Sequence, residues 1–395
     1  MKFGTKVASR LLALSFALAV ISVQGDNDLR LASTTSTEAT GSINQAALKL
    51  HLSYRFLWGL LLRWGQLLGA PLVILQRGKG ATLTPVGEKL LWADKRITAR
   101  LSPLLDSLAS ELEVELQRVL APASGVVRIH ASHGFAVEAL REDLTEASLP
   151  VDLKYMGSQE ALASLAQSGC DLAGFHVPIG DLQAAALRHY ATWLQAPGFA
   201  LINLAMRQQG LIVAPGNPKG IAGLRDLQRE DVRFVNRQQG SGTRMLLDIM
   251  LDRDRIKGDT IKGYEVSEYT HAAVAAYVAS GMADVGFGIE TGARRFGLDF
   301  IPMAAERYFL ICHQDRLHSK PIEQVLTIMQ SRAFKARVDL LPGYNAKDCG
   351  EVMTIDAAFP SLGRGAGGTI NSNRARRKAA VSSAQPAPRK RRQKD

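Results

Sequence analysis

Cysteine is scarce in this chain of 395 residues. Cys170, Cys312 and Cys349 are the full set, and no two stand in CxxC spacing. An odd, scattered set suggests neither a disulfide framework nor a zinc site, and it fits a reducing, cytosolic setting. The sequence also lacks GxxxxGK[ST], HExxH and GxSxG. That removes the phosphate loop of a nucleotide hydrolase, a zinc-protease helix and the nucleophile turn of an α/β-hydrolase. No catalytic residue, metal site or cofactor is therefore assigned. There is no internal repeat at a fixed period. The one long apolar run, Leu11–Val23, is too short for a comfortable membrane span. It follows Lys2, Lys6 and Arg10, as in a secretory leader, but the small-residue cleavage pattern near Gln24 is poor. Residues 1–27 are read as an apolar N-terminal segment, and no membrane partner is expected.

What is present is positive charge, unevenly spread. The net charge is +11, and from Arg364 to Asp395 ten Lys/Arg stand against one acid. Those residues carry +9, leaving +2 for residues 1–363. The tail, 361–395, is too rich in Ser, Ala, Pro and Arg to bury a core and is expected to be disordered. Clustered basic residues of this kind make non-specific contacts with phosphates.

Residues 28–84 carry the sharpest local pattern. "GSINQAALKLHLSYRFLWGLLLRW" reads as helix, tight turn, helix, with Ser42 and Ser53 as caps and a second helix from Tyr54 to Trp64. Ala46 and Ala47 are small enough for close crossing. The Gly-rich basic turn "QRGKGATLTP" follows, as in a wing. Between Gly41 and Arg100 nine Lys/Arg face two acids, or +7, which suits a phosphate-facing surface. Candidate DNA-binding residues are Ser53, Tyr54, Arg55, Arg63, Arg77 and Lys79. Residues 85–119 then form a leucine-striped helix, with Pro85 at its first position and Ser102-Pro103 expected to kink or divide it. Such a stripe is expected to pair with its copy in a homodimer.

After the linker "LAPASG", residues 125–360 alternate β-like runs with helix patterns, as in an α/β domain. "RFVNRQQGSGTRMLLD" places two glycines, two hydroxyls and two arginines where a strand meets a helix. Helix starts present free N–H groups and partial positive charge, so this corner is built for an anion. "IHASHGFAV" and "YMGSQEAL" repeat the strand-to-helix pattern. The candidate ligand-binding residues are Ser132, His133, Ser158, Asn236, Arg237, Gly240, Ser241, Gly242, Thr243 and Arg244. Tyr308, Glu268, His176 and His271 are possible wall residues.

Several stretches, in order, resemble the LysR-type and ModE-type regulators fused to a periplasmic-binding-protein-like sensor. They include "TGSINQAALKLHLSYRFLWGLLLRW", "LGAPLV", "RGKGATLTPVGEKLL", "GSQEALASLAQSGCDLAGFHVP", "RFVNRQQGSGTR" and "ERYFL", spread over residues 28–360. The resemblance implies an α/β chain overall: a winged helix-turn-helix, a long linker helix and a two-lobed sensor. It also implies double-stranded DNA as partner, a small effector of the molybdate or tungstate oxyanion class, and a cytoplasmic location. An exported solute-binding protein of an oxyanion uptake system is the alternative reading. Two differences are plain: the chain before Ser42 is rich in Thr and Ser, and the second helix is unusually apolar.

Overall fold

The computed structural model describes residues 42–76, 80–120 and 125–363. The N-terminal segment 1–27, Arg77 and Lys79, and residues 364–395 of the basic tail lie outside the described residues.

Helix α1 (Ile43–Lys49) starts where Ser42 Oγ accepts the Gln45 N–H. The turn after it places His51 at φ 50°, and the Leu52 N–H reaches back to the Ala47 carbonyl at 2.9 Å. Helix α2 (Tyr54–Leu68) is capped by Ser53, whose hydroxyl accepts the Phe56 N–H at 3.1 Å. It runs one turn past Trp64, through the buried Gly65, and ends at Gly69, which takes the left-handed conformation at φ 75°. Buried Ala46, Ala47, Leu57 and Leu61 form the small core of this unit. Strands β1 (Val73–Gln76) and β2 (Gly80–Leu83) form an antiparallel hairpin beside it.

Thr84 ties the hairpin to helix α3 (Pro85–Leu120): its hydroxyl donates to the Pro71 carbonyl and accepts the Gly87 N–H. Of the two outcomes expected at Pro103, a kink or a division, division does not occur: α3 is one element of 36 residues. A proline removes the N–H that would serve the carbonyl four residues back. That carbonyl belongs to Ala99, and the Thr270 hydroxyl donates to it at 3.0 Å. The vacancy is filled from the far side of the molecule.

Beyond α3 the elements follow as β3 (Val127–Ala131), α4 (Phe135–Glu146), β4 (Val151–Tyr155), α5 (Ser158–Ala166), β5 (Leu172–Pro178) and α6 (Gln183–Leu194). Next come β6 (Phe199–Val213), β7 (Phe234–Arg237), α7 (Gly242–Arg253), β8 (Ser267–Glu268), α8 (His271–Ala279) and β9 (Val285–Ile289). The last are α9 (Glu290–Arg295), β10 (Asp299–His313), α10 (Lys320–Gln330), α11 (Arg332–Asp339), β11 (Tyr344–Asn345) and β12 (Val352–Thr354).

The strand order is β4-β3-β5-β10-β6-β9-β7-β8, with β11 and β12 also on β6. β3 is parallel to β4 and β5, while the two 15-residue strands β6 and β10 run antiparallel through the middle. One half of each long strand belongs to a first lobe with β3, β4 and β5; the other half belongs to a second lobe with β7, β8 and β9. Separate cores confirm the division. Ile129, Leu140 and Leu310 pack in the first lobe, and Leu211, Leu247 and Phe287 in the second. This is the two-lobed α/β arrangement expected from the sequence. The three cysteines are free and buried within it, and burial pushes each thiol up, Cys170 to about 11.

Candidate functional site

Charge sits where the long strands cross between the lobes. Arg207 on β6 and Glu306 on β10 are ladder partners, each with 1% of its side chain exposed, and Arg207 Nε donates to Glu306 Oε1 at 2.5 Å. Gln209 Nε2 donates to the same oxygen at 2.9 Å and to Thr243 Oγ1 at 2.9 Å. The hinge pair is thus wired to the "GSGT" corner. Burying a charge is expensive unless it is paired, so a solitary pair inside two apolar strands marks a functional position. These two residues and Gln209 are absent from the sequence-derived set. The signal available was "MRQQG" and "ER" inside otherwise apolar strands.

Three helix starts converge on the crossing: α4 after Gly134, α5 after Gly157 and α7 after Ser241. A fourth, α8, starts at His271 after its cap Thr270 and was not anticipated. The lobes are nearly in contact here. A Cβ on Gly157 would lie 2.6 Å from the Gly240 carbonyl oxygen, and one on Gly242 would lie 3.2 Å from His176 Nδ1. Gly240 itself sits at φ +80°, which a side chain would strain.

Of the sequence candidates, Ser132 and Ser158 flank one buried imidazole. Ser132 Oγ is 3.3 Å from His176 Nε2 and Ser158 Oγ is 3.2 Å from His176 Nδ1. The His176 ring lies on Tyr308, with centroids 4.0 Å apart. His133 lies against Tyr155, with ring centroids 5.0 Å apart, and it lines the cleft together with Ser132, Arg237 and Ser241. Ser241 is also the cap of α7: its hydroxyl accepts the Arg244 N–H at 3.2 Å and donates to the Gln238 carbonyl. The Thr243 hydroxyl, one residue inside α7, accepts from Gln209.

Two candidates are placed elsewhere. Arg244 pairs with Asp248 at 3.0 Å and stacks on Tyr264 at 4.0 Å, because its position one turn into α7 turns it away from the cleft. Asn236 holds the loop: its amide donates to the Tyr264 carbonyl and its oxygen accepts the Arg237 N–H. The recorded contacts of both are structural, although Arg244 also lines a second hollow beside Gly240, Ser241 and Gly242.

Cations and carboxylates both line the cleft: Arg100, Lys154 and Arg237 stand with Glu111 and Glu160. Arg207 Nη1 has no hydrogen-bond partner among the described residues, and a Cβ on Gly134, at the start of α4, would lie 3.3 Å from it. Arg237, 2% exposed, donates from Nη2 to the Tyr269 carbonyl at 2.8 Å, but its Nη1 is also unpartnered. Burial, then repulsion from Arg207, pulls the Arg237 guanidinium down to about 9. Burial first, then the same arginines, holds His176 and His271 well below the usual imidazole range. Burial, Arg237 and Arg295 bring His133 to about 4. The histidines are therefore neutral at pH 7. Two buried guanidinium nitrogens without partners among the described residues, one of them beside the start of α4, favour a guest that carries negative charge.

On the winged unit, Tyr54, Arg55 and Arg63 are exposed on α2, while the Ser53 hydroxyl is engaged as a cap. Phe56, Leu62 and Leu67 are exposed on the same helix, so its outer surface is largely apolar.

A cleft between two α/β lobes strung on a pair of crossing strands, lined by donors and helix starts, defines a binding protein of the two-lobed kind. Residues 137–330 match the PBP superfamily domain, described as PBP_like. The chain is 34% identical over 200 residues to the uncharacterized protein YvgK of Bacillus subtilis, a match spanning 51% of this chain and 64% of that one. It is 33% identical over 96 residues to an uncharacterized protein of the ferredoxin 2Fe-2S gene 5′ region in Clostridium pasteurianum, a match covering 24% of this chain and 85% of that protein. The chain belongs to the family of that protein. The molybdenum-pterin-binding protein MopB of Rhodobacter capsulatus is 31% identical over 138 residues, 34% of this chain and half of that one. Among solved structures, an OxyR variant of Corynebacterium glutamicum with bound H2O2 aligns over 79% of this chain and 93% of its own, at 19% identity and a TM-score of 0.41.

Proposed function

We propose that this protein is a DNA-binding, ligand-responsive regulator of transcription whose two-lobed domain senses a small oxyanion of the molybdate or tungstate class. The observation that carries the ligand class is the pair of unpartnered, buried guanidinium nitrogens on Arg207 and Arg237. Similarity to MopB, named for binding a molybdenum compound, supports the choice of oxyanion. The DNA-binding half of the reading rests on the capped helix pair with its hairpin, the exposed Arg55 and Arg63 on α2, and the basic tip at Arg77 and Lys79.

Dimerisation falls to α3. Ile97, Leu101, Leu105, Leu108, Leu112 and Leu116 are all exposed along it, spaced by three or four residues. Over 36 residues such a helix is about 54 Å long, enough for an extended seam with a second copy. The protein so read is cytoplasmic and bound to duplex DNA.

Calorimetry of the full chain against molybdate, tungstate, sulfate and phosphate tests the ligand class. Binding of one or more of these supports it, and heats equal to dilution for all four remove it. A processed N-terminus in a periplasmic extract would favour the exported solute-binding protein instead.

A further inference from the structure

The outer wall of the cleft is supplied by neither lobe. A cavity of about 620 Å³ is bounded by Ser132, His133 and Arg237 on one side and by Arg100, Leu104 and Leu108 of α3 on the other. Three sets of contacts fix α3 there. Ser110 Oγ donates to the Val151 carbonyl at 2.7 Å and accepts the Leu153 N–H at 2.9 Å, while Ser107 Oγ accepts the Tyr155 N–H, so α3 covers the edge strand β4 of the first lobe. The Ala99 carbonyl freed by Pro103 takes its hydrogen bond from Thr270 of the second lobe. Arg100 forms a bidentate pair with Glu268, also of the second lobe, with Nε to Oε2 at 2.6 Å and Nη2 on Oε1. One helix thus grips both lobes across their open side.

The Arg100–Glu268 pair is lopsided in a way that matters. Arg100 has half of its side chain in solvent, whereas Glu268 is 1% exposed. Glu268 is also the ladder partner of Arg237, and in a parallel ladder the two side chains leave the sheet on the same face. A buried carboxylate stripped of its partner is strongly destabilised, and Arg237 is the cation that stands beside Glu268 in the ladder.

We propose that α3 is the lid of the anion site and that Glu268 is its switch. With α3 docked, Arg100 holds Glu268 and leaves Arg237 to the anion. With α3 released, Glu268 turns onto Arg237 and cancels it. The inference rests on the anion reading of the cleft. Occupancy and lid closure then stabilise one another by reciprocal linkage. Since α3 begins at the winged hairpin, the direction of the DNA-binding arm follows occupancy of the cleft.

The test compares full-length wild type with Arg100→Gln, Glu268→Gln and the double variant. Molybdate affinity is read by calorimetry and α3 amide protection by hydrogen exchange. Arg100→Gln is expected to weaken molybdate at least tenfold, the size of a lost charged hydrogen bond. Glu268→Gln is expected to tighten it several-fold, and the double variant to bind like Glu268→Gln. That rescue is the signature of the switch. A double variant as weak as Arg100→Gln overturns it, because Arg100 then acts directly or through the fold. In the absence of anion, amides of residues 97–108 are expected to exchange at least tenfold faster in all three variants, with α1 and α2 unchanged. Unaltered exchange overturns the lid. If wild type ignores molybdate, the ligand class fails by itself, and the exchange measurement still decides whether α3 is latched.

Discussion

Gly242→Val bears most directly on whether the closed cleft is the binding form. Gly242 opens α7 in the second lobe, and a Cβ there would stand 3.2 Å from His176 Nδ1 and 3.4 Å from Ser158 Oγ. Both neighbours belong to the first lobe, so the contact exists only when the lobes are shut. Alanine asks them to give by a few tenths of an ångström. Valine adds two further methyls to a gap with no room for the first. Overpacking of this kind costs about 1–3 kcal/mol. Here the lobes can escape it by opening, so the penalty falls on closure rather than on the fold. If the anion binds the closed form, affinity drops by the same free energy, about five- to 150-fold. Calorimetry of the full chain reads the affinity, and small-angle scattering of the variant reads an increased radius of gyration. Thermal stability without ligand should change little. Wild-type affinity together with a wild-type radius would refute the reasoning, because it would mean that the lobes do not close on the guest.

Leu105→Asp with Leu108→Asp places two carboxylates on the exposed stripe of α3, and light scattering should then report monomers; a folded double variant that remains dimeric puts the interface elsewhere. Replacing Arg77 and Lys79 together with Ala should weaken binding to every DNA sequence and reduce the slope of log K against log salt by about 2. An unchanged slope removes the wing tip from the interface. His133 is held at about 4, below its unfolded value of ~6.5, so the unfolded chain gains the proton first and stability falls as pH drops between those values. The loss from this group approaches about 3 kcal/mol at the acid end of the window. His133→Asn should abolish that part of the pH dependence in urea titrations at pH 4–7, and parallel curves for the two proteins would contradict it.

The helix pair, its two serine caps and the strand-to-helix corners were legible because each depends on residues close together in the chain. Ser42, Ser53 and the Gly-Ser-Gly kink act on backbone within four positions of themselves. Arg207 and Glu306 were not legible, since they are 99 positions apart and become a pair only when β6 and β10 lie side by side. Thr243 illustrates the limit well. Its hydroxyl was correctly assigned to a helix start, but whether it caps or accepts from Gln209 depends on a side chain arriving from another strand. Whether Pro103 divides α3 depends on a distant residue in the same way. A helix breaker is judged by the bond it removes, and here the Thr270 hydroxyl replaces it from 167 positions away, counting from Pro103 to Thr270.

The path of the two long strands has a consequence for how this molecule can be taken apart. The second lobe is one uninterrupted excursion that leaves the first near Gln208 and returns near Ala305, and these two residues face each other across the ladder. Its ends are therefore neighbours, as in a hairpin whose loop has grown into a globule. The first lobe, by contrast, is assembled from chain on both sides of that excursion and cannot be made as a single stretch. Exchange of the second lobe between relatives consequently needs only two adjacent junctions, and a tight turn joining Gln208 to Ala305 would leave the remaining sheet closed. Whatever one lobe recognises can in this way be altered while the other, with its grip on α3, is inherited intact.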